Sequence, residues 1–208
     1  MEDDMDETNT NERANGSGRL SRFQWYLLHF EVAGICGVLI GAFFVQFVEK
    51  ELPCPLCMLQ RMAMMLAAMG PFYLLGRLQS KGSIGVDTMA RAYGMSIIAA
   101  TLGLVMSSRQ VLLHILPGDP GYGSKVFGMH LYSWGVVVFL VVILVSGATM
   151  ILARQMHIEN SPHRSSIATR ILSAIFIAVI GANVIATFVE SGFHPFLPDN
   201  PTGYELLE

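Results

Sequence analysis

The chain has 208 residues, 52% hydrophobic and only 14% charged, with mean hydropathy +0.50 and a formal net charge of −3. A soluble domain of that length carries more charge to cover its surface, so the composition excludes a soluble globular fold and leaves a polytopic membrane protein. The sign of the charge says little about partners, because six of the sixteen acids fall in the first twelve residues.

Residues 1–22 open with MEDDMDETNTNERANGSG, acidic and poor in apolar side chains, and are expected to be a disordered cytoplasmic tail. They lack the basic leader, short apolar core and small-residue cleavage site of a signal peptide, so the first span is expected to direct insertion itself. Five apolar runs follow, near 25–48, 56–78, 91–116, 131–153 and 168–189, each long enough to cross a bilayer at ~20 residues per span. The fold class is therefore an all-α polytopic membrane helical bundle.

The first span holds Gly37-x-x-x-Gly41 with Gly34 a turn earlier, small residues that favour close approach of another helix. Cys36 beside them reads as a buried small hydrophobe. Glu31, near His29, is expected to pair with a loop cation, a proton route being the alternative. The second span carries Pro71, expected to kink or loosen its cytoplasmic end. Its Met58, Met62, Met65 and Met69 form one stripe, read as adaptable packing filler. A Gly/Ser connector at 79–88 leads to the third span, where Arg109 and His114 sit in the outer half. Loop 117–129, PGDPGYGSKVFGM, is rich in glycine and proline and is expected to be irregular backbone. His130, Tyr132 and Trp134 then read as an interfacial aromatic belt. Residues 156–190 comprise a loop and the fifth span, and 191–208 an extended proline-rich tail.

Basic residues set the expected orientation. Arg13, Arg19, Arg22, Arg77, Lys81, Arg91, Arg154, Arg164 and Arg170 fall on one side of the five spans, against Lys50 and Lys125 on the other. The N-terminus and even-numbered loops are then cytoplasmic, and residues 51–57, loop 117–130 and the C-terminal tail face outward.

The chemistry concentrates in ELPCPLCMLQR, residues 51–61, where two cysteines meet the second span at that outer surface. At ~100° per residue, positions 54, 57 and 61 share a helical face, with Arg61 about 6 Å deeper than Cys57. The positive end of the helix dipole and a permanent cation both favour thiolate, the form that attacks disulfides and electrophiles. A charge within a span is costly and marks function by default. A structural staple is disfavoured because so small a ring constrains little chain. A single CxxC supplies two of four zinc ligands, so no metal is assigned. The sulfurs with the methionine stripe would also suit Cu(I) binding or transfer, which stands as the alternative chemistry. A membrane scaffold with an incidental CxxC is the third reading.

The run from Leu52 to Arg61 resembles the quinone-reducing motif of the disulfide-bond formation protein B (DsbB) family. Arg109-Gln-Val-Leu-Leu-His-Ile-Leu-Pro117 is similar to the end of that family's third span, and His130-Leu-Tyr-Ser-Trp134 to the start of its fourth. The resemblance covers roughly residues 25–152 and implies a DsbB-like four-helix core at 23–155, with the fifth helix as an addition. It implies a bacterial inner-membrane thiol:quinone oxidoreductase supporting disulfide bond formation, with a periplasmic CxxC and tail. Cys54 and Cys57 would be the catalytic pair, Cys57 nearest the quinone (ubiquinone or menaquinone) and Cys54 the more exposed. Arg61 would hold the quinone oxygen, and Arg109 and His114 would line its pocket. The partner would be a thioredoxin-fold, DsbA-like periplasmic thiol oxidase, alongside the quinone pool and the lipid bilayer, with no nucleic acid. Well-studied members carry a second cysteine pair in the loop between spans 3 and 4. This chain has cysteines only at 36, 54 and 57, so the electron path from the donor must be shorter, or the donor different.

Overall fold

The computed structural model describes residues 2–158, 166–193, 201 and 203–206. Five helices in it are long and apolar enough to cross a membrane. They are α1 (Glu2–Val48, spanning from Arg22), α2 (Pro55–Lys81), α3 (Val86–Leu113), α4 (Leu131–Ile151) and, after the short α5 (Ala153–Met156), α6 (Ile167–Ser191). The chain is a multi-pass, all-α membrane bundle.

The N-terminal segment expected to be disordered is helical backbone from Glu2, continuous with the first span. Once an apolar span has supplied the costly nucleus, a segment without proline extends the helix at little further cost. The other boundaries follow local chemistry. Cys54 caps α2 and Pro55 occupies its first position, where a missing N–H costs nothing. Gly82, at φ 71°, closes α2 in the left-handed conformation and donates its N–H to Leu78 O. Helix α2 continues through Pro71, which is buried, to Lys81. Helix α3 starts and stops earlier than its apolar run, admitting Asp87 to its first turn and ending at Leu113, ahead of Pro117.

Helix α2 lies at the centre, with 56% of its spanning window buried against 22% for α4 and α6. It packs chiefly on α3, which packs on α4, while α1 joins α2 to α6. Leu28, Leu39, Leu74, Tyr93, Phe139 and Phe176 are fully buried in the common core. Cys36 is buried there too. The outer faces of the spans, such as Phe30, Ile98, Leu144 and Ile185, stay exposed and present apolar side chains to lipid.

Close approach occurs elsewhere than at Gly34, Gly37 and Gly41, where an added Cβ would meet nothing among the described residues. It occurs at Gly70 against Ser96 and Ala92, at Gly103 against the Phe139 ring, and at Gly135 against Ser107. The expected small-residue contact of span 1 is therefore unused. The glycines that matter line the α2–α3–α4 seams, where backbones must approach to bury α2.

Loop 117–130 is more ordered than its composition suggests. Lys125–Val126 (β1) and Met129–His130 (β2) pair as an antiparallel hairpin, turned by Phe127 and Gly128 at φ 50° and 82°. At the opposite end, Ile84 and Ile158 exchange backbone hydrogen bonds and tie the α2–α3 connector to the segment after α5. Residues 205–206 return to the end of α6, donating N–H groups to Glu190 O and Val189 O. The tail thus folds back there, while the extended run expected at 194–200 lies outside the described residues.

Candidate functional site

Both cysteines of the CxxC are free thiols at the start of α2. Cys54 stands one residue before the helix, in extended backbone, and its sulfur accepts the N–H of Cys57 at 3.2 Å. The two prolines make this placement: Pro55 begins the helix and leaves Cys54 as its cap. Cys57, inside the first turn, points to the side on which Arg61 emerges one turn deeper.

A residue beside the expected Arg109 connects the sulfurs. Gln110 of α3 donates through Nε2 to Cys54 Sγ at 3.3 Å and to Cys57 Sγ at 3.5 Å. Its Oε1 accepts from Gln60 Nε2 at 2.7 Å, and from the Cys57 thiol at 3.9 Å. Both glutamines are buried. The Gln60 bond occupies Gln110 Oε1 and so favours the orientation that turns Gln110 Nε2 toward the sulfurs. A signal for Gln110 exists in the sequence: Ser96, Ala100, Gly103, Ser107 and Gln110 recur at three- and four-residue steps and form the buried stripe of α3.

Arg61 turns toward α1. Its Nη1 donates to Gln46 Oε1 at 2.6 Å, its Nη2 donates to Ala42 O at 3.1 Å, and its carbon lies 5.4 Å from the Phe43 ring centroid. With Cys57 it borders a cleft of about 90 Å³ between α1, α2 and α4, lined by apolar side chains such as Val38, Leu39, Met64 and Leu131. Trp134 and Val38 are shared with a deeper apolar cavity of about 350 Å³ that reaches Glu31.

A different cleft, about 440 Å³, lies on the other side of the cysteines. Cys54, Arg109, Gln110, His114 and Tyr122 line it. The structure therefore brings Arg61 together with Cys57, and Arg109 and His114 together with Cys54. It does not gather the three residues around one pocket, as the resemblance implied. Helix α3 decides this: its buried stripe ends at Gln110, which inserts between the two sides and leaves the preceding Arg109 facing away from Arg61.

His114 serves the loop. It caps α3, and its Nδ1 lies 3.1 Å from Asp119 Oδ1, while Asp119 Oδ1 also accepts the Gly121 N–H at 2.8 Å. The Gly121 N–H, and then His114, hold the Asp119 carboxyl below its ordinary value. Tyr132 is buried, with its ring against those of His114 and His130, and Trp134 Nε1 donates to Val126 O at 2.9 Å. These aromatics build the wall and roof of the site, where a lipid-facing belt was expected.

The loop covers the cysteines. Tyr122 donates its hydroxyl to Leu52 O at 2.6 Å, Glu51 accepts the Ser124 N–H at 2.9 Å, and the Ser124 hydroxyl donates to Glu49 at 2.9 Å. Burial pushes the Tyr122 phenol up, which keeps it a donor. Under this cover Cys54 is only 6% exposed, whereas Cys57 is half-buried. This reverses the expectation that Cys54 is the more open sulfur: the exposure of Cys57 is to the apolar cleft. The hydrogen bond with Cys57, and then burial, push the Cys54 thiol up and keep it protonated.

The remaining candidates fall outside the site. Glu31 accepts from the Tyr93 hydroxyl at 3.1 Å, so a partner from α3 takes the place of the expected loop cation. Met58, Met62, Met65 and Met69 border a cavity between α2 and α6. Among the described residues no cluster of three His, Cys, Asp or Glu side chains could hold a metal.

The family described as disulfide bond formation protein DsbB matches residues 21–124, which carry α1 through α3 and the cysteine pair. The chain is 40% identical over 89 residues to disulfide bond formation protein B of Chromobacterium violaceum, covering 42% of this chain and 51% of that protein. It is 35% identical over 106 residues to the protein of the same name from Xanthomonas oryzae pv. oryzae, covering 48% and 58%. With the one from Hahella chejuensis it shares 32% over 99 residues, covering 48% and 55%. The matched segment thus spans about half the length of these relatives. No solved structure matches the chain significantly.

Proposed function

The chain belongs to the disulfide bond formation protein DsbB family, and on that premise we propose that it is a bacterial inner-membrane oxidoreductase passing electrons from a periplasmic dithiol to quinone. The observation that carries this reading is the division of the CxxC between two unlike clefts, a polar one at Cys54 and an apolar one at Cys57 with Arg61.

In the oxidised pair, a donor thiolate attacks Cys54 Sγ from the polar cleft. The Cys54–Cys57 bond breaks and Cys57 leaves as thiolate. A second donor thiolate then attacks the mixed disulfide, so the donor departs oxidised and Cys54 regains a thiol. Entry requires loop 117–124 to yield, because Tyr122 covers Cys54 through its bond to Leu52. A thioredoxin-fold thiol oxidase of the DsbA-like kind has the exposed dithiol and extended contact surface that such an opening suits.

The mainly apolar cleft suits a flat ring carrying carbonyl oxygens: its walls are largely aliphatic and aromatic, and the Cys57 sulfur and the Arg61 guanidinium border it together with Glu51, Gln60, Tyr122 and Ser124. The adjoining apolar cavity, reached past Val38 and Trp134, suits a polyisoprenoid chain. When bound there, ubiquinone or menaquinone supplies acceptance of two electrons and two protons and leaves as quinol. The two electrons would come from the Cys54 and Cys57 sulfurs as their disulfide closes, and the two protons balance those given up by the donor dithiol. Arg61 offers fixed positive charge to developing negative charge in a water-poor site, where such a contact is strongest. Gln110 holds the two sulfurs in register through both half-reactions.

Purified protein supplied with a reduced thioredoxin-fold donor and ubiquinone should form one quinol per donor disulfide. Cys57→Ser, which cannot form the Cys54–Cys57 disulfide, should form no quinol. Absence of quinol with the unaltered protein, or undiminished turnover in Cys57→Ser, ends this reading.

A further inference from the structure

Resting on that reading, we propose that Glu190 of the fifth transmembrane helix is a positioning residue for Arg61, acting through Gln46, so that α6 is part of the redox site.

Arg61 donates to Gln46 Oε1 at 2.6 Å, which fixes the orientation of the Gln46 amide and directs its Nε2 away from α2. Nε2 then donates to Glu190 Oε2 at 3.4 Å and to the Tyr204 hydroxyl at 3.5 Å. One amide thus relays between a guanidinium on α2 and a carboxylate on α6, with α1 between them. Glu190 is fully buried, and its Oε1 has no hydrogen-bond partner among the described residues. A buried carboxylate half unpaired costs stability on its own, and the positive charge beyond Gln46 offsets that cost. The returning tail closes the arrangement: Glu205 N–H donates to Glu190 O at 3.4 Å and Leu206 N–H to Val189 O at 3.2 Å. The charged or titratable groups facing Glu190 are Arg61 and Cys57 of α2, and Tyr204 also faces Arg61.

The consequence is geometric. Cut from Glu190, the Gln46 amide keeps only the longer contact to the Tyr204 hydroxyl on its donor side, and its hold on Arg61, and with it the aim of the guanidinium along the apolar cleft, is loosened. A guanidinium displaced by about 1 Å loses much of its effect on a reacting atom.

The test uses the full-length protein in lipid nanodiscs, with two readouts. The first is the rate of Cys57 alkylation by iodoacetamide in a Cys36→Ser, Cys54→Ser background, which needs no quinone. Glu190→Ala and Gln46→Ala should each slow it about fivefold to tenfold, and the double variant should be no slower than either, because both break one chain. Glu190→Gln, which keeps an acceptor for Gln46, should restore most of the rate. The second readout is steady-state turnover in the native-cysteine protein, where the same substitutions should raise KM for ubiquinone and leave KM for the dithiol donor unchanged. Unchanged alkylation in Glu190→Ala overturns the proposal, as does additivity in the double variant. So does a faster rate in Glu190→Ala and Glu190→Gln alike, which would assign Glu190 an effect of charge alone. If the unaltered protein forms no quinol while alkylation responds as expected, the quinone reading fails and the positioning role stands.

Discussion

The two clefts beside the CxxC differ in almost every physical respect although they meet at one pair of sulfurs. The Cys54 side is polar, lies under a loop and is bordered by Arg109 and His114. The Cys57 side is mainly apolar, lies between α1, α2 and α4 with Tyr122, Gly123 and Ser124 of the same loop at its edge, and contains Arg61. A thiol pair between a wet and a dry compartment can exchange disulfides on one face and deliver electrons to a lipid-soluble acceptor on the other. On the proposed reading, Arg61 would act where the dielectric is low, while Arg109 borders the more polar cleft.

The sharpest way to break that comparison is to weaken one side alone. Arg61→Met should lower kcat for quinol formation about 100-fold, the loss typical of a preorganised charge donor. Formation of the donor–Cys54 mixed disulfide, followed by rapid quench, should keep its rate. Equal slowing of both steps would mean the clefts are not separate. Gln110→Leu touches both sulfurs and should slow both half-reactions about tenfold, as expected for losing hydrogen bonds to a thiolate.

Tyr122→Phe removes the 2.6 Å bond to Leu52 O. At ~1 kcal/mol this should speed maleimide labelling of Cys54 about fivefold. No change at Cys54 would show that the loop is not its cover. The smallest effect concerns acid. The folded carboxyl of Asp119 lies below its ordinary 3.8, so its contribution to the loop is present at neutral pH and lost only as pH falls through that depressed value. Loop cover, read as protection of Cys54 from a thiol reagent active in acid, should therefore hold unchanged from neutrality down to about that ordinary value. Earlier loss would mean that the Asp119 contacts are not what sets the acid limit of the loop.

Much of the architecture was legible in the chain. Five apolar runs, a CxxC bracketed by prolines and an arginine four residues on are local facts, and local rules place them: spanning length, proline at a helix start and the 100° step between residues. The pairing of Cys57 with Arg61 follows from that step, since both lie within two turns of one helix. The N-terminal helix escaped because composition reports solubility and not the cost of extending an existing helix. The glycine contacts were misassigned because GxxxG spacing says that approach is possible, whereas burial decides where it occurs.

What the sequence determined by itself is the membrane class, the spans and the presence of a CxxC pair with an arginine one turn beneath it. Tertiary structure alone decided which side of that pair each distant residue joined. Gln110 reaches both sulfurs, Arg109 falls on the polar side, His114 fastens a loop to Asp119, and Glu190 arrives from a helix more than a hundred residues later. The physical reason is that buried polar groups must find partners, and in a bundle those partners come from neighbouring helices whose order along the chain carries no distance information.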